Sequence, residues 1–256
     1  MSKIRPYILS ENNWSDIRDR HFQLAILPWG ATEAHNFHLP YGTDQYLADQ
    51  VAERVAGISW ERGGRVLVLP SIGYGVNTGQ MDIPFCMNMN PSTQLMLLRD
   101  IAEVLSNHQV HKLMILNAHG GNSFKQMIRE LSVSFPELFI CSVDWWKSAK
   151  SDSIFKEAGD HAGELETSAM MYLFPELVLP LEKAGRGQAK KFKLDALNKG
   201  WAVAQREWTR VTEDTGSGDP SASNAEKGKA FLEATVAAIA DFTVELAGLG
   251  NHDLYE

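Results

Sequence analysis

Four side chains that bind protons or metal ions fall within twelve positions near the N-terminus. The segment "ATEAHNFHLPYGTD" (31–44) contains Glu33, His35, His38 and Asp44, and it follows an apolar run that ends in "LPWG". Carboxylate and imidazole groups are ligands for zinc and other divalent ions. Glu33 and His35 are two positions apart, so an extended backbone points both side chains to one side. This stretch therefore predicts part of a metal site.

Two later stretches have a similar composition. His119 stands before a glycine pair in "NAHGGNS", and "GDHAGELETS" brings together His161, Glu164 and Glu166. Glu164 lies three positions after His161, so a helix would place the two side chains on one face. Apolar packing does not explain such clusters, and we expect them to contribute to the same site as the first.

The charges of these residues favour two metal ions over one. Glu33, Asp44 and Glu164 carry three negative charges, and a bridging hydroxide would add a fourth, which matches two divalent cations in a pocket of low dielectric. Two ions that share a carboxylate can activate a water and polarise a carbonyl, as hydrolysis of an amide-like C–N bond requires. Taken singly, Asp44 could be a helix cap, and His35 with His119 could be a buried structural pair.

Short apolar runs alternate with segments of helical period along the chain. Predicted strands cover 22–29, 65–72, 112–118 and 138–145, and predicted helices cover 43–57, 90–108, 121–135, 163–177 and 224–248. This alternation indicates an α/β protein, a three-layer α/β/α sandwich with a largely parallel sheet, in a single domain over 1–256. The segment 178–223 has little regular pattern and is interpreted as a surface excursion. The polar clusters all follow predicted strands, and ligands bind at that edge of such sheets.

Composition excludes several classes of partner. The formal net charge of −8 and the pI near 5.5 argue against binding to nucleic acid or to an anionic membrane. The N-terminus lacks the apolar core of a signal peptide, and no uncharged apolar run approaches the roughly 20 residues that span a bilayer. We therefore expect a cytoplasmic protein with a small-molecule amide substrate. Cys86 and Cys141 are too few and too far apart for a disulfide framework or a thiolate zinc site.

Three further residues are candidates for contact with the substrate. His38 lies in the same loop as the first cluster and could line the mouth of the site or support a ligand. Trp145 and Trp146 end a predicted strand, where they could form a wall for a planar substrate or belong to the core.

The motifs resemble those of the creatininase (creatinine amidohydrolase) family. "LPWGATEAHNFHLPYGTD" is similar to its signature, "LNAHGGN" and "DHAGELETS" are similar to its second and third motifs, and "GDPSASNAEKGKAF" is similar to its last helix entry. The four matches occur in the family's order and span most of the chain. The resemblance implies a three-layer α/β fold, assembly into a homo-oligomer such as a hexamer, and two divalent metal ions, with Zn²⁺ favoured and Mn²⁺ an alternative at one site.

The resemblance also implies roles for individual residues. Glu33, Asp44 and His119 would bind one ion. His35 would bind the other ion, together with Asp44, which would bridge the two. His161 would be the general acid and base, and Asp160 stands beside it where creatininase has Glu.

One position departs from the family pattern. Gly121 stands where creatininase has a metal-binding Glu, and we expect Glu164 to replace that carboxylate. The departure favours a creatininase-like branch over creatininase itself. The expected function is hydrolysis of a C–N bond, other than a peptide bond, in a cyclic amide or formamide. The alternatives are a metal-dependent peptidase of the same fold and a metal-binding protein that catalyses no reaction.

Overall fold

The sheet has four parallel strands within residues 4–255, the part of the chain that the computed structural model describes. The strands are β1 (Leu24–Trp29), β2 (Val66–Val68), β3 (Lys112–Asn117) and β4 (Phe139–Asp144), in the order β2-β1-β3-β4. The central strands β1 and β3 are paired in register from Ala25 with Leu113 to Trp29 with Asn117. The loops that follow these two strands therefore start side by side.

Helices cover both faces of the sheet. The eight α-helices of the described residues are α1 (Trp14–Ile17), α2 (Thr43–Glu61), α3 (Pro91–Asn107), α4 (Lys125–Ser134), α5 (Glu164–Leu173), α6 (Asp195–Asn198), α7 (Trp208–Val211) and α8 (Ala225–Gly248). Residues of α2, α5 and α8 form one apolar core with the sheet, and residues of α3 and α4 form a second core on the opposite face. The predicted three-layer α/β/α sandwich with a parallel sheet is confirmed.

Alternation along the strands divides the two cores. In β1, Leu24 and Ile26 belong to the core under α2, α5 and α8, whereas Ala25 and Leu27 belong to the core under α3 and α4. Successive strand side chains point to opposite faces, so a strand covered on both sides must be apolar throughout. All six residues of β1 are buried, as its continuous apolar sequence indicates.

Helix α2 extends beyond its predicted end at Gly57. The helix continues to Glu61 and is followed by Gly63, whose φ of 93° lies in the left-handed region that ends helices. A Cβ atom at Gly57 would lie 3.0 Å from the hydroxyl oxygen of Tyr7. Gly57 therefore makes room for a packed tyrosine within the helix and does not end it.

The segment 178–223 is mostly irregular, as predicted, but it is anchored to the domain. Trp208 is buried, its indole N–H donates to the carbonyl of Thr215 at 2.9 Å, and its backbone N–H donates to the carbonyl of Gly79 at 2.9 Å. These bonds hold the segment against the loop that contains Gly79. No helix among residues 4–255 is both long enough and apolar enough to cross a bilayer.

A buried carboxylate connects α5 with α8. Glu164 is 1% exposed, and one of its oxygens accepts a hydrogen bond from the ammonium group of Lys227. The other oxygen accepts from the backbone N–H groups of Lys156 and Glu157 at 2.9 and 3.1 Å. Burial opposes the charged form of Glu164, but these hydrogen bonds outweigh it and lower the pKa of the carboxyl group. Glu164 thus fixes the segment that precedes α5.

We expect Glu164→Ala to lower the free energy of unfolding by about 3 kcal/mol, because it leaves the Lys227 ammonium and two backbone N–H groups without their acceptor. Chemical denaturation measures this change. Glu233→Ala on α8 is the matched control, since Glu233 is exposed and its contact with Lys229 is solvated; its effect should stay below about 0.5 kcal/mol. Equal stability of the two variants would contradict a structural role for Glu164.

Candidate metal centre

The first part of the cluster forms where β1 meets the start of α2. A Cβ atom at Gly30 would lie 2.6 Å from the backbone nitrogen of Gln45, so the N-terminus of α2 presses directly against the end of β1. Only glycine allows this approach. It brings Asp44, in the first turn of α2, next to Glu33 and His35 in the loop after β1. All three side chains are buried.

His119 reaches the same place from the end of β3. Its Nδ1 atom lies 2.8 Å from Oε1 of Glu33 and 3.0 Å from Oδ2 of Asp44. A Cβ atom at Gly121 would lie 2.4 Å from both Nε2 of His119 and the carbonyl oxygen of Val76. A side chain at Gly121 would therefore displace the histidine, which explains in physical terms why this chain has no carboxylate at that position.

Asp44 stands between two histidines and presents one oxygen to each. Oδ1 is 2.9 Å from Nε2 of His35, and Oδ2 is 3.0 Å from Nδ1 of His119. Oδ2 is also fully buried and accepts no well-aligned hydrogen bond, since the short distance to His119 lacks suitable geometry. A buried carboxylate oxygen without a partner is costly unless a cation compensates it. The donor set therefore fits a metal ion on each side of Asp44.

Glu166 completes the second side of this arrangement. Ligand atoms of His35, Asp44 and Glu166 lie within 4.8 Å of one another, as do those of Glu33, Asp44 and His119. A further group of the same kind joins Glu33, His35 and His161. Four of the five predicted ligands, Glu33, His35, Asp44 and His119, are therefore brought together, with Asp44 common to two groups.

Glu164, the predicted fifth ligand, does not lie with the other four. Helix α5 begins at Glu164, so His161 precedes the helix and the three-residue helical spacing does not apply to the pair. Ala162 between them has a φ of 50°, a left-handed conformation that turns its N–H towards a carboxylate oxygen of Glu166 at 2.6 Å. Glu164 is held by Lys227 instead. Within the first turn of α5, Glu166 therefore lies with the cluster and Glu164 does not.

Each of the three clustered histidines has one ring nitrogen bound to a backbone carbonyl. His35 Nδ1 lies 3.1 Å from the carbonyl oxygen of Glu33, His119 Nε2 lies 3.1 Å from that of Val76, and His161 Nε2 lies 2.8 Å from that of Ala34. In the neutral imidazole these nitrogens donate, so the second nitrogen has a free lone pair. This is the arrangement by which backbone acceptors orient metal-binding histidines.

The electrostatics of the cluster favour bound positive charge. Burial alone would lower the pKa of His35, but the charge of Asp44 outweighs it and raises that pKa to about 10. For His119 burial is likewise outweighed, chiefly by the charge of Glu33, and the pKa is raised well above its usual range. Burial raises the pKa of Glu166, and the neighbouring histidines offset only part of that effect. The three clustered carboxylates thus demand cations, which bound metal ions can supply.

Sequence reasoning missed Gln80, which orients Glu33. The side-chain amide of Gln80 donates to Oε2 of Glu33, which leaves Oε1 to face His119. The amide oxygen of Gln80 accepts in turn from the thiol of Cys86 at 3.4 Å. Gln80 lies in an irregular loop and has no charge or periodic spacing that could single it out.

The cluster opens into a cavity of about 120 Å³. Asn77 and Gln80 line it, as do Arg206 and Trp208 of the excursion. A second cavity of about 1290 Å³ adjoins it, and Asp160 with Arg206 contributes to the walls of both. The excursion is therefore part of the site, which its lack of pattern gave no means of predicting.

The three predicted substrate contacts lie elsewhere. His38 is 1% exposed, lies 2.9 Å from the hydroxyl of Thr167, and is absent from the cavity wall; burial lowers its pKa to about 4. Trp145 is buried in the core against Phe231, with ring centroids 5.8 Å apart. Trp146 does not line the metal cavity; with Lys147 it lines another pocket, which shares Gly120 with that cavity. His38 supports α5, and neither tryptophan forms a wall of the metal cavity.

Known proteins share this fold and these motifs. The structure named "Putative creatinine amidohydrolase from Bacteroides fragilis" is 39% identical to this chain in sequence. The two superpose with a TM-score of 0.90, over 98% of this chain and 99% of that one. Solved creatininases that include a manganese form and a Zn–Zn form are 24% identical, with a TM-score of 0.79 over 95% of this chain and 99% of each, and show the common fold.

Curated relatives are named for more than one activity. The creatinine amidohydrolase of Pseudomonas putida is 28% identical over 60% of this chain, and the match spans 65% of that protein, less than two thirds of its length. The mycofactocin precursor peptide peptidase of Mycobacterium ulcerans is 26% identical over 80% of this chain and 78% of that protein.

The resemblance that the motifs indicate is confirmed over most of the chain. A family model described as creatinine amidohydrolase matches residues 10–243. That region contains every residue of the metal cluster, from Glu33 to Glu166. The chain therefore belongs to the creatininase family of hydrolases.

Proposed function

We propose that this chain is a metal-dependent amidohydrolase that cleaves a C–N bond of a small cyclic amide or formamide at a two-metal centre. The observation that carries the proposal is Asp44, whose two oxygens face His35 and His119 separately and so belong to two ligand groups at once. Glu33 and His119 complete one group, and His35 and Glu166 complete the other. Zn²⁺ in both groups, or Mn²⁺ in one, suits this set of nitrogen and oxygen donors.

The chain's own residues account for the steps of hydrolysis. Two divalent ions held in this way would lower the pKa of a water molecule and polarise the amide carbonyl. His161 has its Nε2 bound to the carbonyl of Ala34, and its Nδ1 lies 3.7 Å from Glu33 in the cluster. Nδ1 can therefore accept a proton from the attacking water and pass it to the leaving nitrogen as the C–N bond breaks. Trp208 packs edge-on against the His161 ring, with centroids 5.5 Å apart, and limits its movement.

The size of the cavity supports a small substrate. About 120 Å³ beside the cluster suits a molecule of a few heavy atoms, and residues of the excursion form part of the wall of this space. A peptidase is the second candidate, because the adjoining cavity of about 1290 Å³ could hold a longer chain. A hydrolysis screen of creatinine, lactams, formamides and short peptides with added Zn²⁺ or Mn²⁺ separates the two. Turnover confined to peptides would replace the amidohydrolase proposal.

Purified protein loaded with Zn²⁺ is expected to contain about two ions per chain, and Glu166→Gln about one, because it removes a ligand from one group only. Metal analysis after desalting measures the content. Glu164→Gln, two positions away on the same helix, is the matched control and should retain both ions since Lys227 and backbone groups hold that side chain. Loss of an ion from the Glu164 variant but not from the Glu166 variant would reverse our assignment.

His161→Asn is expected to abolish turnover of any substrate that the screen identifies, while metal content and folding stay unchanged. The substitution removes the nitrogen that moves the proton, and general acid–base catalysis typically contributes about 10²- to 10⁴-fold to the rate. His108→Asn, at an exposed position after α3, is the control and should have full activity. If the His161 variant turned over at the wild-type rate, another group would have to move the proton.

A further inference from the structure

Arg206 occupies the wall between the two cavities. It lines both the 120 Å³ cavity at the metal cluster and the adjoining 1290 Å³ cavity. Its Nη1 donates to Oδ2 of Asp160 at 2.9 Å, and its guanidinium lies 4.5 Å from the ring centroid of Trp208. Asp160 directly precedes His161, so the guanidinium is placed next to the proposed proton carrier. Any substrate that reaches the cluster from the larger cavity passes Arg206.

The backbone around Arg206 is held firmly. A Cβ atom at Gly79 would lie 2.2 Å from the carbonyl oxygen of Arg206, so the two chain segments are in direct contact. The hydroxyl of Thr78 lies 3.2 Å from the side-chain oxygen of Gln205, and the N–H of Trp208 donates to the carbonyl of Gly79 at 2.9 Å. The backbone of Arg206 is therefore fixed before any ligand binds, and this reduces the conformational entropy lost on binding.

Most of the hydrogen-bonding capacity of Arg206 is unused. A guanidinium has five N–H donors in a planar fork, and within residues 4–255 the one hydrogen bond that Arg206 makes through them goes to Asp160. The Asp160 carboxylate is itself 60% exposed, so water weakens its hold. The remaining N–H groups are free for a planar anion, for which an arginine fork is the best-matched protein group.

The surroundings of Arg206 are positive in a chain whose net charge is −8. Four cationic side chains line the larger cavity, against three carboxylates: Arg186, Lys190, Lys191 and Arg206 against Glu157, Asp160 and Asp219. Among the described residues, 4–255, no carboxylate forms an ion pair with the first three of these cations, and Arg206 is the one that is paired. The approach to the metal cavity therefore attracts anions.

We propose that Arg206 binds a carboxylate group carried by the substrate, so that the preferred substrate is an acidic amide, a lactam or formamide that bears a carboxylate close to the C–N bond cleaved. This inference rests on the proposed amidohydrolase function and names the substrate class of the same site. Arg206 acts as a specificity residue, because it binds the substrate carboxylate next to the C–N bond. The metal ligands and His161 take part in the cleavage of that bond.

Two matched pairs of probes test the inference. 5-Oxoproline and 2-pyrrolidinone are lactams with and without a carboxylate, and N-formylglycine and N-methylformamide are formamides with and without one. For the Zn²⁺-loaded protein we expect kcat/KM to be about tenfold to hundredfold higher for the acid of at least one pair, as a charge-assisted hydrogen bond pair allows. Arg206→Gln should remove that preference by raising KM for the acid, and Arg206→Lys should restore part of it.

Two further variants separate recognition from a merely structural role. Asp160→Asn breaks the ion pair but leaves the guanidinium, so it should retain the preference for acids. If the ion pair only stabilised the excursion, Asp160→Asn and Arg206→Gln would lose that preference equally. Arg210→Gln, in the same excursion but paired with Glu207 at 3.0 Å and outside both cavity walls, is the matched control and should behave as wild type. Equal loss in the Arg206 and Asp160 variants, or preference for the neutral probes, overturns the inference.

Calorimetric binding of 5-oxoproline and N-formylglycine gives a readout that does not need turnover. If the loaded protein hydrolyses none of the four probes, the amidohydrolase proposal fails for these classes, while binding still decides the role of Arg206. Binding that weakens about tenfold or more in Arg206→Gln and stays unchanged in Arg210→Gln supports it. Equal affinity of the Arg206 variant and the wild type, or no measurable binding of either acid, overturns it.

Discussion

The metal centre depends on one close approach, the contact of the α2 N-terminus with the end of β1 at Gly30. This contact fixes Asp44 at the sheet edge, where its two oxygens face histidines from different segments. A larger residue at Gly30 would move the start of the helix and with it the shared carboxylate. Since β1 and β3 are paired to their last residues, His119 emerges beside this junction without further help. Sheet register and one glycine thus determine where the ligands meet.

Crowding three carboxylates into one place is unfavourable by itself, and the surrounding hydrogen bonds show how the fold tolerates it. Gln80 fixes one oxygen of Glu33, the Ala162 N–H fixes one oxygen of Glu166, and backbone carbonyls orient the histidine rings. The remaining lone pairs converge on the space around Asp44. Such an arrangement is stable with cations between the ligands, because isolated carboxylates in a low dielectric repel one another. The role of Glu164 belongs to folding, as its carboxylate is neutralised by Lys227 away from this space.

The ligands and the walls of the site come from different kinds of structure. The clustered carboxylates and histidines lie after strand ends and in the first turns of helices, whereas the excursion contributes Arg206 and Trp208 to the cavity wall. Loops of this kind can change in sequence without disturbing the sheet, so one family can hold the same centre and act on different substrates. That separation agrees with relatives named both for creatinine hydrolysis and for peptide cleavage.

The sequence by itself determined the layers of the fold and four of the clustered residues, because strand alternation, helix period and the Glu-x-His spacing are local properties. It could not show which carboxylate of α5 lies beside them, since choosing between Glu164 and Glu166 required knowing that α5 begins at Glu164 and that Ala162 turns the chain before it. Trp145 was ambiguous for the same reason, because its burial against Phe231 is a property of packing. Only the tertiary structure brought Gln80 and Arg206 to the cavity, because contacts between irregular segments distant in sequence have no local pattern.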